Sequence, residues 1–152
     1  MRRHVLFWSI VVCLLVLDRV SKWLVIQFIP LHESISVFPF LSLTHVLNTG
    51  TAFGLFQNAG WFFTIFAIGV SAYIIYAYRT FDMSMQVLLA LVLAGALGNL
   101  VDRLIYGAVI DFVDVHVWPV FNVADSAISI AVVLLLVREF FQRERRRVHR
   151  KV

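Results

Sequence analysis

The stretch GAVIDFVDVHVWPVFNVAD, residues 107–125, is nearly all apolar yet carries three aspartates, Asp111, Asp114 and Asp125. Carboxylates beside apolar walls are costly to ionise, and two brought close together cannot both ionise easily. Such a pair shares one proton and titrates as a unit. Its ionised member can take a proton from water while the protonated member polarises a peptide carbonyl. That is aspartic-protease chemistry, which needs neither a covalent intermediate nor a cofactor. Other chemistries fit the chain less well. His4 and His149 lie near the ends, and His32, His45 and His116 form no HExxH-like pair, so no metal centre is expected. A Ser–Lys nucleophile would have to use Lys22, which has Asp18 one helical turn away, and Ser21 points elsewhere. Cys13 is the single cysteine and lies inside an apolar run.

The elements that must position these carboxylates are membrane elements. Of 152 residues, 61% are hydrophobic and 14% charged, against roughly 25% charged in a soluble domain. A single domain, residues 1–152, with lipid as its solvent is expected. Four apolar segments, approximately 5–26, 61–78, 85–105 and 123–141, read as helices long enough to cross a bilayer core. The first runs past the core length of a signal peptide and lacks a small-x-small cleavage site, so it reads as an uncleaved helix. Four crossings put both ends on one side. Ten of the thirteen Lys and Arg residues then lie on that side: Arg2, Arg3, Arg79 and the tail from Arg138 to Lys151. This is the cytoplasmic side by the positive-inside rule, and it accounts for the basic tail without nucleic acid. The loops 27–60 and 106–122 fall outside and contain no Lys or Arg. The partly alternating ISVFPFLSLTHVL in the first loop reads as a small sheet or hairpin at the membrane surface.

Five polar groups converge on that outer face, each with a bland reading. Asp18 and Lys22 are i, i+4 on the first helix and can simply neutralise each other. NTGTAFG, residues 48–54, offers the Asn48 amide and two turn glycines, Gly50 and Gly54, and alone is an ordinary turn. In GNLVDR, Asn99 and Arg103 share a face of the third helix. Arg103 can be a snorkelling residue with Asp102 as its local partner, but that leaves Asn99 unexplained. The small residues Gly95, Ala96 and Gly98 permit close approach of another helix or a ligand. VIDF holds Asp111. In FNVAD, Asn122 can be an N-cap with Asp125 three residues on. Capping alone does not account for the convergence of all five.

DRVSK, NTGTAFG, GNLVDR, VIDF and FNVAD, in that order, resemble the sequence blocks of the lipoprotein signal peptidase (signal peptidase II) family across nearly the whole chain. Two departures are small: Arg19 stands where the family usually has Gln, and Ile110 where Val is common. The resemblance implies an all-α membrane protein, with four transmembrane helices and a small extracytoplasmic β-cradle in the loop between helices 1 and 2. It implies a membrane aspartyl endopeptidase that removes signal peptides from prolipoproteins, cleaving before the diacylglyceryl-modified cysteine. Asp111 and Asp125 would be the catalytic dyad. Asn48, Gly50, Asn99, Arg103 and Asn122 would bind substrate, and Asp18 and Lys22 would support the fold. Asp114 matches no catalytic position. No cofactor or metal is implied. The expected partners are diacylglyceryl-modified prolipoproteins and membrane lipid, with no nucleic acid. The expected form is a monomer in the bacterial cytoplasmic (inner) membrane, with its site toward the outer face. The competing reading is a small proton-coupled transporter or channel subunit, since membrane carboxylates also serve proton relays. Such a protein should carry its acid near the bilayer midplane, whereas these acids lie at one edge. A scaffold without chemistry would leave Asn99, Arg103 and both loop motifs without a role.

Overall fold

The computed structural model describes residues 2–50 and 60–149. Residues 51–54 of the NTGTAFG motif, including Gly54, lie outside the described residues, as do Arg150 and Lys151 of the basic tail. Four long helices form along the apolar segments: α1 (Arg2–Phe28), α2 (Gly60–Ala77), α3 (Met83–Tyr106) and α4 (Val123–His149). Two stretches, Gly60–Thr80 and Met83–Tyr106, are long and apolar enough to cross a membrane. The other two helices turn large apolar side chains outward, among them Val12, Val16 and Trp23 on α1 and Val133, Leu136 and Phe140 on α4. A water-soluble monomer rarely exposes apolar surface on that scale. The molecule is a membrane protein.

Helix α3 is the central element and packs against α1, α2 and α4. Its start is set by Asp82, whose carboxylate accepts the Met85 N–H at 3.0 Å and the Ser84 hydroxyl at 2.7 Å. Those two donors, the backbone one first, hold the Asp82 pKa down at about 2. Asp82 also pairs with Arg138 of α4, so this short connection ties two helices together. The other end of α3 closes on Gly107, at φ 71°, whose N–H returns to the Arg103 carbonyl at 3.1 Å. A left-handed glycine is the usual way to stop a helix and redirect the chain. Toward the Asp82 end, Phe7 and Val11 of α1, Ile74 of α2, Tyr78 of the turn after α2 and Leu93 of α3 form the main apolar cluster. Phe7 stacks on Tyr78 with ring centroids 4.1 Å apart.

Small residues on α3 bring its C-terminal half close to two neighbours. A Cβ on Gly95 would stand 2.4 Å from the Ala124 carbonyl oxygen and 2.6 Å from Ile128 Cγ1, both on α4. A Cβ on Gly98 would stand 2.8 Å from Asp18 Oδ2. Helix α4 can therefore start directly against α3 only because position 95 has no side chain. We expect Gly95→Ala to push the first turn of α4 outward and to destabilise the protein by roughly 1–3 kcal/mol. The thermal midpoint of the purified protein measures it, and an unchanged midpoint would show that the contact is slack.

The sheet departs from expectation in one respect. It has three antiparallel strands in the order β1 (Ser34–Phe38), β2 (Leu41–Asn48) and β3 (Val109–Asp114). The first two come from the loop after α1, where a small sheet was expected. The third comes from the loop after α3 and carries Asp111, paired opposite Val46 of β2. Strand β3 is six residues long and has no hairpin partner in its own loop. Its ladder partner is the distant β2, and within its own loop it makes a single bridge, Val113 to Phe121, so little local signal announces it. Val25 of α1 and Ile29 just after it pack on Phe112 and fix the sheet to the helices.

Candidate active site

Asp18 and Lys22 form the pair their spacing suggests, with Nζ 3.0 Å from Asp18 Oδ2. They are half of a larger cluster. Lys22 Nζ lies 2.6 Å from Asp102 Oδ2 on α3. The guanidinium of Arg19 bridges the same carboxylates, 2.7 Å to Asp18 Oδ2 and 2.7 Å to Asp102 Oδ1. Asp102 is thus not the local partner of Arg103. It sits one turn beyond Gly98, on the face of α3 that meets α1, and is 0% exposed. Two carboxylates against two cations leave the cluster neutral, which is the condition for burying so many charges. Each carboxylate has a further backbone partner. Asp18 Oδ1 accepts the Ala124 N–H at 3.1 Å, and Asp102 Oδ2 accepts the Ile110 N–H at 3.2 Å.

From this cluster a chain of amides leads to the aspartates. Lys22 Nζ donates to Asn99 Oδ1 at 3.2 Å. A lysine only donates, so this contact sets which way the Asn99 amide faces. Its Nδ2 is turned to Asp125 Oδ1, at 2.7 Å. Asn122 serves both aspartates. Its Oδ1 accepts the Asp125 N–H at 2.9 Å, which caps α4, and its Nδ2 donates to Asp111 Oδ1 at 2.7 Å. Capping and site-building are therefore one arrangement, not alternatives. On the sheet side, Asn48 Nδ2 donates to Asp111 Oδ2 at 2.9 Å. The Gly50 N–H holds Asn48 in place by donating to its Oδ1 at 3.0 Å.

Asp111 and Asp125 line one cavity of about 160 Å³, together with Asn48, Gly50, Asn99, Arg103 and Phe63. Asn122 is fully buried behind them and holds the aspartates from the protein side. The Arg103 guanidinium stands 5.8 Å above the Phe63 ring and makes no hydrogen bond to another described residue. Its donors border the cavity that the two aspartates line. Burial first, and then the neighbouring Asp125 carboxylate, push the Asp111 pKa up to about 7. Both oxygens of Asp111 accept amide hydrogens, whereas Asp125 Oδ2 accepts none from a described residue. Two carboxylates in one small cavity, one of them with its proton held to neutral pH, can activate a water and protonate a carbonyl. Among the described residues no group of three or more His, Cys, Asp or Glu is placed to hold a metal ion.

Asp114 lies elsewhere, toward the exposed end of the sheet, accepting from the His116 N–H at 2.8 Å and from Thr44 Oγ1 at 3.1 Å. Two residues to which the sequence reading gave no part in the site, Arg19 and Asp102, are integral to its support. Asp102 had a legible signal: it is i+4 from Gly98, the position where α1 comes closest. Arg19 had none, because an arginine near a helix end reads as a snorkelling residue.

Comparison with known proteins agrees with this geometry. The family model for signal peptidase (SPase) II matches residues 10–141. The lipoprotein signal peptidase of Thermodesulfovibrio yellowstonii is 47% identical over 130 residues, covering 82% of this chain and 88% of the relative. That of Alteromonas mediterranea is 45% identical over 136 residues, covering 82% of this chain and 75% of the relative. A solved bacterial membrane enzyme, determined in meso at 2.3 Å resolution, superposes with a TM-score of 0.85 at 32% identity, covering 90% of this chain and 88% of that one. With the family model matching all but the two ends, close relatives along most of its length and a shared fold, the chain belongs to the signal peptidase II family.

Proposed function

We propose that this chain removes signal peptides from prolipoproteins as a membrane aspartyl endopeptidase, with Asp111 and Asp125 as its dyad. The observation that carries the proposal is the shared cavity in which both carboxylates sit, each with an amide donating to it and with Arg103 beside them. The pair holds one proton. Asp125 Oδ2, the dyad oxygen with no described partner, is the natural place for that proton or for the attacking water. The ionised carboxylate takes a proton from water as the water oxygen bonds to the scissile carbonyl carbon. The protonated carboxyl gives its proton to the carbonyl oxygen. Collapse of the tetrahedral species breaks the C–N bond: the proton taken from water goes to the leaving nitrogen, and one hydroxyl proton of the tetrahedral species returns to the other carboxylate, which restores the shared proton. Asn48, Asn99 and Arg103 face the peptide, and their donors suit its carbonyl oxygens. The cut falls before a diacylglyceryl-modified cysteine, and the lipid-facing helices hold the enzyme where that cysteine emerges. All four helices cross the cytoplasmic membrane, the chain acts as a monomer, and the sheet lies on the outer face. The transporter reading is not favoured, since both carboxylates stand where the sheet meets the helices.

Cleavage of a purified diacylated prolipoprotein, with the unmodified precursor as control, tests the reading directly. Equal cleavage of both would remove the lipid from the recognition scheme. The raised Asp111 pKa adds a pH signature. Below about 7 the shared proton is held; above it the proton is lost and with it the acid member of the pair. The rate should therefore fall about tenfold per pH unit above that point. A rate still flat two units higher would contradict the shared proton. For orientation, Glu33→Cys in a Cys13→Ser background should react with an impermeant thiol reagent from outside the cell, and Ser84→Cys only after the membrane is disrupted. The reverse pattern would invert the topology.

A further inference from the structure

The four-charge cluster does more than neutralise itself. Asp18 accepts the N–H of Ala124, the residue immediately before Asp125. Asp102 accepts the N–H of Ile110, the residue immediately before Asp111. Each buried carboxylate thus grips the backbone one residue ahead of one aspartate in the cavity. We propose that Asp18 and Asp102 are paired positioning arms that set the separation of the dyad, with Arg19 and Lys22 as the cross-brace between the arms. This rests on the dyad reading and extends it to residues outside the cavity.

The geometry supports a brace over simple charge balance. Both cations span both carboxylates. Arg19 uses its two terminal nitrogens, one on each acid, and Lys22 places its single nitrogen between the same two acids. The Arg19 fork is anchored a third time on the Gly98 carbonyl, at 2.9 Å. A planar fork holds two acceptors at a defined spacing, which a flexible ammonium does not. The gripped groups also come from different elements. Ile110 belongs to β3 and Ala124 to the first turn of α4, whose leading N–H groups have no partner within the helix. Strand and helix also meet through Asn122, which caps α4 and donates to Asp111 Oδ1; the cluster adds a fixed reference on α1 and α3 for the two backbones that set the dyad spacing. Both Ile110 and Ala124 are buried, at 1% and 2% exposure, so water does not replace a lost arm. Lys22 carries the same reference to the side chains, since it orients Asn99 and through it Asp125.

The test uses the full-length protein with a diacylated prolipoprotein, following kcat, KM, the pH–rate profile and the thermal midpoint. The variants are Arg19→Gln, Arg19→Lys and Asp102→Asn, with Asp111→Asn alongside. Misplacement of reacting groups by about 1 Å costs about 100-fold in rate. We expect Asp102→Asn to lower kcat by about that factor and Arg19→Gln by about tenfold, with KM within about twofold. The basic limb of the profile should move to lower pH in both, because a wider pair holds its shared proton less tightly. Arg19→Lys should recover part of the loss, keeping the charge without the fork. If Asp102→Asn does not fold, Arg19→Gln carries the test, its side chain being partly exposed. Normal kcat and an unmoved limb in the folded variants would overturn the proposal. So would a kcat that falls only with the folded fraction while the limb stays in place. An active Asp111→Asn would instead remove the dyad reading beneath it; with Asp111→Asn inert, the first two outcomes speak against the arms alone.

Discussion

Asp125→Asn yields a folded enzyme that binds a diacylated prolipoprotein and does not cleave it. The structure makes this the cleanest substitution in the site. The Asp125 side chain is not the cap of α4; Asn122 is, through the Asp125 backbone N–H. An asparagine at 125 keeps that N–H and can keep its Oδ1 on the Asn99 amide. Its new NH₂ takes the place of Oδ2, which has no described partner to clash with. What disappears is the ability to exchange a proton. A loss of at least about 1,000-fold is expected, beyond the effect of a single positioning contact. Asp111→Asn should be equally inactive but less stable. Both Asp111 oxygens accept amide hydrogens, from Asn48 and Asn122, so one donor must face another. The double variant should be hardly worse than either single, because residues acting as one unit are not additive. Asp114→Asn should retain most activity, since among the described residues the Asp114 carboxylate accepts from Thr44 and His116, away from the cavity. Cleavage at a normal rate by Asp125→Asn would end the dyad interpretation.

How much of this could be read beforehand depended on whether a relation was local. Asp18 with Lys22, and Asn99 with Arg103, were readable because helical spacing puts i and i+4 on one face. The approach of α4 to Gly95 was readable as a permission, though not as a contact with the Ala124 carbonyl. The bland reading that pairs Asp102 with Arg103 fails because neighbours in sequence are not neighbours in space on a helix. On a helix, adjacent residues point about 100° apart, and Asp102 follows Gly98 toward α1. Strand β3 escaped for a different reason: six residues whose ladder runs along a distant strand, with a single bridge to Phe121 nearby, carry no hairpin-turn signal and too short an alternation. The amide chain could not be read at all. It depends on which end of each amide faces which neighbour, and that follows from where the donor-only Lys22 lands.

Asn122→Ser separates two jobs that one side chain performs. Serine caps helices about as well as asparagine, so the first turn of α4 should stay in place, while loss of the buried Nδ2 bonds to Asp111, Asn99 and Ile110 lowers the thermal midpoint without unfolding the protein. Serine is too short to replace the Nδ2 donor that reaches Asp111 Oδ1 at 2.7 Å. Asp111 would then face the cavity with one amide donor, from Asn48, instead of two. Removing a preorganised donor from a developing or resident charge costs about 100-fold in rate, and that is the loss expected here, in kcat more than in KM. Asn122→Asp makes the contrast sharper. It keeps an acceptor for the Asp125 N–H, and negative charge suits a helix N-terminus. Yet it sets a third carboxylate against Asp111 Oδ1 in a fully buried place. Its cleavage should fall further than that of the serine variant, and only lowering the pH should recover part of it, by protonating the added acid. If Asn122 were a cap and nothing else, serine and aspartate would both leave cleavage at the parental rate, and the coupling of the helix start to Asp111 would be without consequence.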